Sequence, residues 1–218
     1  MAQAHMNIST IQLTLQTVKS QFNELNHSLN RELPHFHNES LENLIAGYGL
    51  VEDLVYQQTE LFNLGHSRDI LELNHTVLYG SKETRDVIEY KKQLDASEKY
   101  FFERTHGGIG DLIDYYQSHS FSNPWQEASS IYIRMMSSPQ LFREGNHRTG
   151  ALLMSYVLLR SDLPPFVLSL QNAKEYFMFS NQIAQHARRS LMLKWRWRNL
   201  QSKFAEYLEK NASTEYLL

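Results

Sequence analysis

The stretch SSPQLFREGNHRTGALLMSYVLL, residues 137–159, joins two apolar segments through a short polar loop. On its N-terminal side Ile131, Tyr132, Met135 and Met136 carry a helical pattern that should stop before Pro139. On its C-terminal side GALLMSYVLLR is apolar almost all round, the mark of a helix buried at the centre of a bundle. Between them Glu144, Gly145, Asn146 and Arg148 fall within five residues. A helix that begins just after such a loop points its unsatisfied N–H groups, and the positive end of its dipole, at whatever the loop holds. Gly145 permits close backbone approach and a positive φ, and consecutive N–H groups in such a turn cradle phosphate oxygens. Glu144 is placed to hold Mg²⁺, which takes a few carboxylates plus phosphate and water. Arg148 is placed to fork onto a phosphate.

Working outward, the remaining chain reads as further helices. Ile11, Leu15, Val18, Phe22, Leu25 and Leu29 form one amphipathic stripe. Residues 39–63 read as helical on both sides of AGYG (46–49), whose glycines are expected to break or bend the helix. Ser67 is expected to cap a helix through Ile70, Leu73 and Val77, with Gly80 just past its end. Residues 81–105 are read as a small β-hairpin flap. THGGIG punctuates before a helix at Leu112, Ile113, Tyr115 and Tyr116, and Asn123-Pro124 opens another. DLPPF ends the apolar helix, and residues 172–210 hold one or two more. The fold class is mainly α, a helical bundle with a small hairpin. No linker composition divides it, which gives one domain over 1–218: N-terminal helices at 8–63, a core at about 65–190 and a C-terminal helical extension at 190–212.

Composition narrows the function classes. The 218 residues are 42% hydrophobic and 21% charged, enough apolar material for a packed core. A net charge of −3 gives no global attraction for nucleic acid, so no nucleic-acid partner is expected. The absence of cysteine excludes disulfides, thiolate metal sites and Cys nucleophiles. No apolar run reaches the roughly 18–20 residues that span a bilayer, so no membrane partner is expected. The N-terminus MAQAHMNIST lacks the basic and hydrophobic regions of a signal peptide. The expected location is cytoplasmic, or that of an exported effector without a conventional signal peptide.

The loop and its flanks resemble the Fic (Fido) domain family, whose motif reads H-x-F-x-D/E-G-N-G/K-R-x-x-R. Phe142, Glu144, Gly145, Asn146 and Arg148 match it. NPWQEASSIYIRMMSSPQLF (123–142) is similar to the helix leading into the motif, and RTGALLMSYVLLRSDLPPFVL (148–168) to the buried helix and proline turn that follow. ILELNHTVLYG (70–80) is similar to an earlier Fic helix, so the resemblance spans roughly 70–185. It implies a Fic-like helical bundle that transfers AMP from ATP to a hydroxyl of a target protein. Phe142 would anchor the loop, and Glu144 would hold Mg²⁺. Gly145, Asn146 and the backbone at His147 would cradle the phosphates of ATP or another nucleotide, with Arg148 pairing a terminal phosphate.

The chain departs from the motif at three positions. Gln140 stands where the family has its catalytic histidine, the general base for the Ser, Thr or Tyr hydroxyl of the target. A glutamine amide orients a hydroxyl but does not take its proton, and loss of a general base removes about 10²–10⁴-fold in rate. His147 replaces Gly or Lys and reads as solvent-exposed filler ahead of a displaced base. Ala151 replaces the second arginine, as in the death-on-curing branch, which transfers phosphate. ENLIAGYGL (42–50) resembles the surroundings of the family's inhibitory S/T-x-x-x-E-G/N helix, with Glu42 and Ala46 at its key positions. Brake and base both missing is the pattern of a pseudoenzyme. Three readings follow: a nucleotide-binding Fic protein with weak or altered transfer, an inactive interaction or regulatory module gripping a protein partner, and a death-on-curing-like kinase with a substitute base.

Other candidates are blander. His35 and His37 lack an apparent third metal ligand. ARRSLMLKWRWRNL (187–200) interleaves Arg188, Arg189, Lys194, Arg196 and Arg198 with Trp195 and Trp197, and reads as a helix with packed tryptophans, or as a protein contact. Glu103, His106 and His119 are surrogate bases only if folding brings them to Gln140.

Overall fold

The computed structural model describes residues 4–27, 29, 35–185 and 194–218, with the side chains of 194–196 outside that description. Among the described residues ten α-helices follow one another: α1 (Ile8–Ser20), α2 (Phe22–His27), α3 (Asn38–Tyr56), α4 (Ser67–Tyr79), α5 (Lys91–Phe102), α6 (Ile109–Ser118), α7 (Pro124–Met136), α8 (Asn146–Leu159), α9 (Ala173–Ala184) and α10 (Lys194–Lys210). The fold is mainly α. Among the described residues, pairing of strand type is limited to isolated bridges, as between Met6 and Leu217. No helix among the described residues is long and apolar enough to cross a membrane.

Helix α8 sits at the centre. Apart from His147 and Arg148 in its first turn, all its residues are buried, as its all-round apolar pattern requires. It packs on α7, α3 and α4, and α10 covers the other side of α7. Its end precedes Pro164 and Pro165, with Ser155 and Tyr48 both donating to the carbonyl of Phe166 beyond the turn. At α7 the Asn123 side chain accepts from the Gln126 N–H at 2.9 Å, the cap expected from the sequence, and Pro124 fills the first turn.

Four expectations are corrected. No hairpin occurs at 81–105: turns lead into α5, because KKQLDASEKYFF has no β-branched residue and sets Leu94, Ser97 and Phe101 at helical spacing toward the interior. AGYG does not interrupt α3. Gly47 is there for contact, since a Cβ would lie 2.4 Å from Leu152 Cδ1 on α8. The first stripe is two helices, parted at Gln21. Ser67 is the first residue of α4 and makes no cap; the preceding His66 places Nδ1 3.1 Å from Asp69 Oδ2. Gly80 does follow α4, at φ +84°.

Candidate functional site

The polar loop 137–145 is braced from three sides, and each brace is a side chain bonded to backbone. From within, Asn146 is buried; its Oδ1 accepts from the Phe142 N–H at 3.0 Å, and its Nδ2 donates to the Phe142 carbonyl at 2.8 Å and to Gln140 Oε1 at 3.2 Å. From α4, Asn74 Nδ2 donates to the Glu144 carbonyl and to Thr149 Oγ1, both at 3.0 Å. From α5, the Tyr100 hydroxyl donates to the Gln140 carbonyl at 3.3 Å. Beside it Arg104 stacks 3.7 Å over the Tyr100 ring and donates to the Leu141 carbonyl at 2.9 Å. Phe142 is buried and lies parallel to Phe101, ring centroids 5.3 Å apart, which makes it the loop's apolar anchor.

Gly145 then turns the chain into α8 at φ +74°, ψ 4°. The left-handed conformation favours glycine, and space demands it as well, since a Cβ would meet Asn74 Nδ2 at 2.8 Å. The first-turn N–H groups of α8 follow directly and have no acceptor within their own helix. Glu144 is exposed at the loop's edge. Arg148 is half-buried and donates through Nη1 to the Val77 carbonyl. Burial pulls its guanidinium below the ordinary value, against the opposing pull of Glu144 and Glu39. Tyr79 also feels Glu144: burial first, and then that carboxylate, raise its hydroxyl.

A cleft of about 200 Å³ opens beside this turn, with Gly145, His147, Arg148 and Ala151 on one wall and Phe36 and Phe177 on another. Ala151 therefore contributes apolar wall to the cleft. The His147 side chain is not solvent filler. It is half-buried, turns toward α7 and α9, and meets Ser180 Oγ at 3.0 Å through Nδ1.

The remaining candidates are not drawn into this site. Gln140 is bonded by Tyr100 and Asn146, and not by Glu103, His106 or His119; Glu103 faces Lys99 at 3.8 Å and His119 packs on Tyr115 with centroids 4.1 Å apart. Among the described residues no three His, Asp or Glu side chains are grouped to hold a metal, the His35–His37 pair included. A lone exposed carboxylate such as Glu144 is compatible with magnesium, which is commonly bound through one or two carboxylates plus substrate phosphates. Arg188 and Arg189, and the side chains of Lys194, Trp195 and Arg196, lie outside the described residues; Arg198 borders a separate, larger cleft with α6 and α7. Sequence reasoning missed Asn74, Tyr100, Arg104 and Ser180. Asn74 alone carried a signal, an amide inside the apolar run of α4. Searches of protein-family models and of curated proteins return no match to this chain.

Proposed function

We propose that this chain is a Fic-type protein binding a Mg–nucleotide at Glu144–Arg148, of the class that transfers AMP from ATP to a protein hydroxyl, with transfer weak or altered. One observation carries the reading. A left-handed Gly145, with the preceding Glu144 carbonyl held by Asn74 and the buried Asn146 following, sets the N-terminal turn of a buried helix against a cleft that Arg148 also lines. Magnesium bound at Glu144 would offset phosphate charge. Gly145, Asn146 and the His147 backbone would hold phosphate oxygens, and Arg148 would pair a terminal phosphate. In AMP transfer the target hydroxyl oxygen bonds to the α-phosphorus as the bond to pyrophosphate breaks, and the hydroxyl proton needs an acceptor. Gln140 offers none.

Titration calorimetry with ATP and Mg²⁺ is expected to give saturable binding that weakens about 10- to 100-fold in Arg148→Ala, the range of a lost charge-assisted contact. Absence of both heat and thermal shift in the unmutated protein would sink the proposal. Gln140→His is expected to raise incorporation of α-labelled ATP into target proteins about tenfold or more; γ-label incorporation would instead favour phosphate transfer.

The inactive interaction module is the second reading, and Gln140 favours it. Its side chain accepts from Asn146 and its carbonyl from Tyr100, so residue 140 helps to hold the loop. Nucleotide binding without any transfer in Gln140→His would select this reading.

A further inference from the structure

A cleft of about 880 Å³ lies between α6, α7 and the first turns of α10. Its floor is one stripe of α7: Gln126, Ser130, Ile133, Arg134 and Ser137 stand at helical spacing and all line it. Helix α6 supplies one wall and α10 the other, which makes the cleft a trough along α7. From Gln126 to Ser137 it runs about 16 Å at the helical rise.

Arg134 is the residue of this trough that its neighbours satisfy least. Its side chain is only 26% exposed and leans over the Tyr115 ring, yet it makes no hydrogen bond to the described residues, and its Nε is buried without a partner. The ion pair it has is loose. Nη2 lies 3.9 Å from Asp111 Oδ2, an oxygen that already accepts from the Gly107 N–H at 2.6 Å. The same carboxylate also attracts Arg104, so one negative charge faces two guanidinium groups. A half-buried guanidinium with no acceptor carries an uncompensated desolvation cost, which an incoming oxyanion offsets. On the α10 wall Arg198 is exposed and likewise has neither hydrogen bond nor ion pair among the described residues.

The two cations stand at different points along the trough. Ser129 Oγ donates to the Gln201 carbonyl at 2.9 Å, and the Tyr132 and Phe204 rings lie 5.1 Å apart, so α7 and α10 run side by side in the same direction. Arg198, one turn before Gln201, is therefore level with Gln126, and Arg134 stands two turns further on, about 12 Å along the axis. One small anion does not reach both. In an extended chain, side chains four residues apart share a face at a spacing of about 13 Å. Between the two cations Ser130 is already bonded, donating to the Gln126 carbonyl and accepting from Gln201 Nε2, and Ile133 is apolar. Charge at the two stations is therefore what the trough offers. A nucleic-acid strand would add phosphates between them, over Ile133 and along the wall that carries Asp111 and Asp114.

We propose that the α6–α7–α10 trough binds an extended acidic segment of a protein partner, with carboxylates four residues apart on Arg134 and Arg198. The floor ends at Ser137, where the loop carrying Gln140 begins, so the bound segment lies beside that loop. The proposal rests on the protein partner that both readings above share.

Selection of nine-residue peptides from a random library on the full chain is expected to enrich Asp or Glu at two positions four residues apart. In Arg198→Gln, a change at an exposed side chain, the preference at one position should vanish and a selected peptide should bind up to about fivefold more weakly. In Arg134→Gln the other preference should vanish, with a loss of about tenfold or more, since that guanidinium is half-buried. Circular dichroism establishes whether Arg134→Gln folds, and Arg198→Gln carries the test if it does not. No acidic enrichment, acids at another spacing, or enrichment unchanged in both variants would overturn the proposal, as would a chain that holds oligothymidine and selects no peptide. Mg–ATP calorimetry is a separate measurement: nucleotide binding without peptide selection overturns this proposal alone, and binding of neither overturns the nucleotide reading as well.

Discussion

At the residue scale the loop's shape depends on two side chains that bond to backbone, those of Asn146 and Asn74. Asn146 saturates both the N–H and the carbonyl of the buried Phe142 while steadying Gln140. Asn146→Ala leaves those backbone groups unpaired, at a cost of about 2–4 kcal/mol, and denaturant unfolding should register it. A loss below about 0.5 kcal/mol would mean that water replaces the amide. Gly145→Ala faces two costs, about 1–2 kcal/mol for a left-handed alanine and the displacement of Asn74 Nδ2, which a Cβ would approach to 2.8 Å. Because Asn74 holds both the Glu144 carbonyl and Thr149, the variant should lose nucleotide affinity as well as stability. Unchanged calorimetric affinity would show that the turn does not shape the cradle. The polar loop between α7 and α8 was legible because its residues are contiguous. Asn74 lies 70 residues earlier than the carbonyl it holds, and pairing at that separation leaves no local pattern.

At the element scale the long periodic segments were legible and the glycines were misread. A 3.6-residue apolar stripe identifies a helix whatever its neighbours do, so α7 stands where its stripe put it and α8 where its all-round apolar run did. AGYG looked like punctuation because propensity treats every helical glycine as a weakness. In α3 its two glycines have opposite meanings. Gly47 permits α3 to approach α8, with Leu152 Cδ1 2.4 Å from a hypothetical Cβ, whereas Gly49 has nothing within 4 Å. Gly49→Ala should therefore stabilise by about 0.5–1 kcal/mol through the unfolded chain and helix propensity. Gly47→Ala should destabilise by about 1–2 kcal/mol net, overpacking outweighing the same propensity gain. Thermal unfolding of the pair, measured side by side, tests the contact: midpoints shifting in the same direction would show that Gly47 is not a packing glycine. Segment 81–105 failed differently, since its short, mixed turns carry too little periodicity to separate hairpin from helix.

At the scale of the whole molecule, composition foretold a packed core but not which polar groups that core would enclose. His75 on α4 is the one with a consequence for the folded state as a whole. Its Nε2 lies 2.6 Å from Ser97 Oγ on α5, and close by the Arg85–Glu72 pair is nearly buried at 2.6 Å. Burial, and then the Arg85 cation, lower the His75 pKa from 6.5 to about 4, while Glu72 and Glu98 oppose the shift. The folded chain thus binds fewer protons at this residue than the unfolded chain across that interval. Its contribution to stability is complete above the unfolded value of 6.5, declines as the pH falls, and is gone below about 4. The full amount is at most about 3 kcal/mol, a large part of the margin by which a domain stays folded. Urea unfolding followed from about pH 7 to about pH 4 should show this decline superimposed on the titration of the carboxylates. His75→Gln keeps a polar group opposite Ser97 and cannot titrate, so its stability should fall less steeply over the same interval. Parallel curves for the two proteins would mean that His75 is already hydrated or protonated in the folded state. The α4–α5 contact would then not be the acid-sensitive joint of the bundle. That contact adjoins the loop on both sides, through Asn74 on α4 and Tyr100 on α5. An acid-weakened α4–α5 joint should therefore loosen the loop's braces before the chain unfolds, and nucleotide affinity should decline at a higher pH than the unfolding midpoint does.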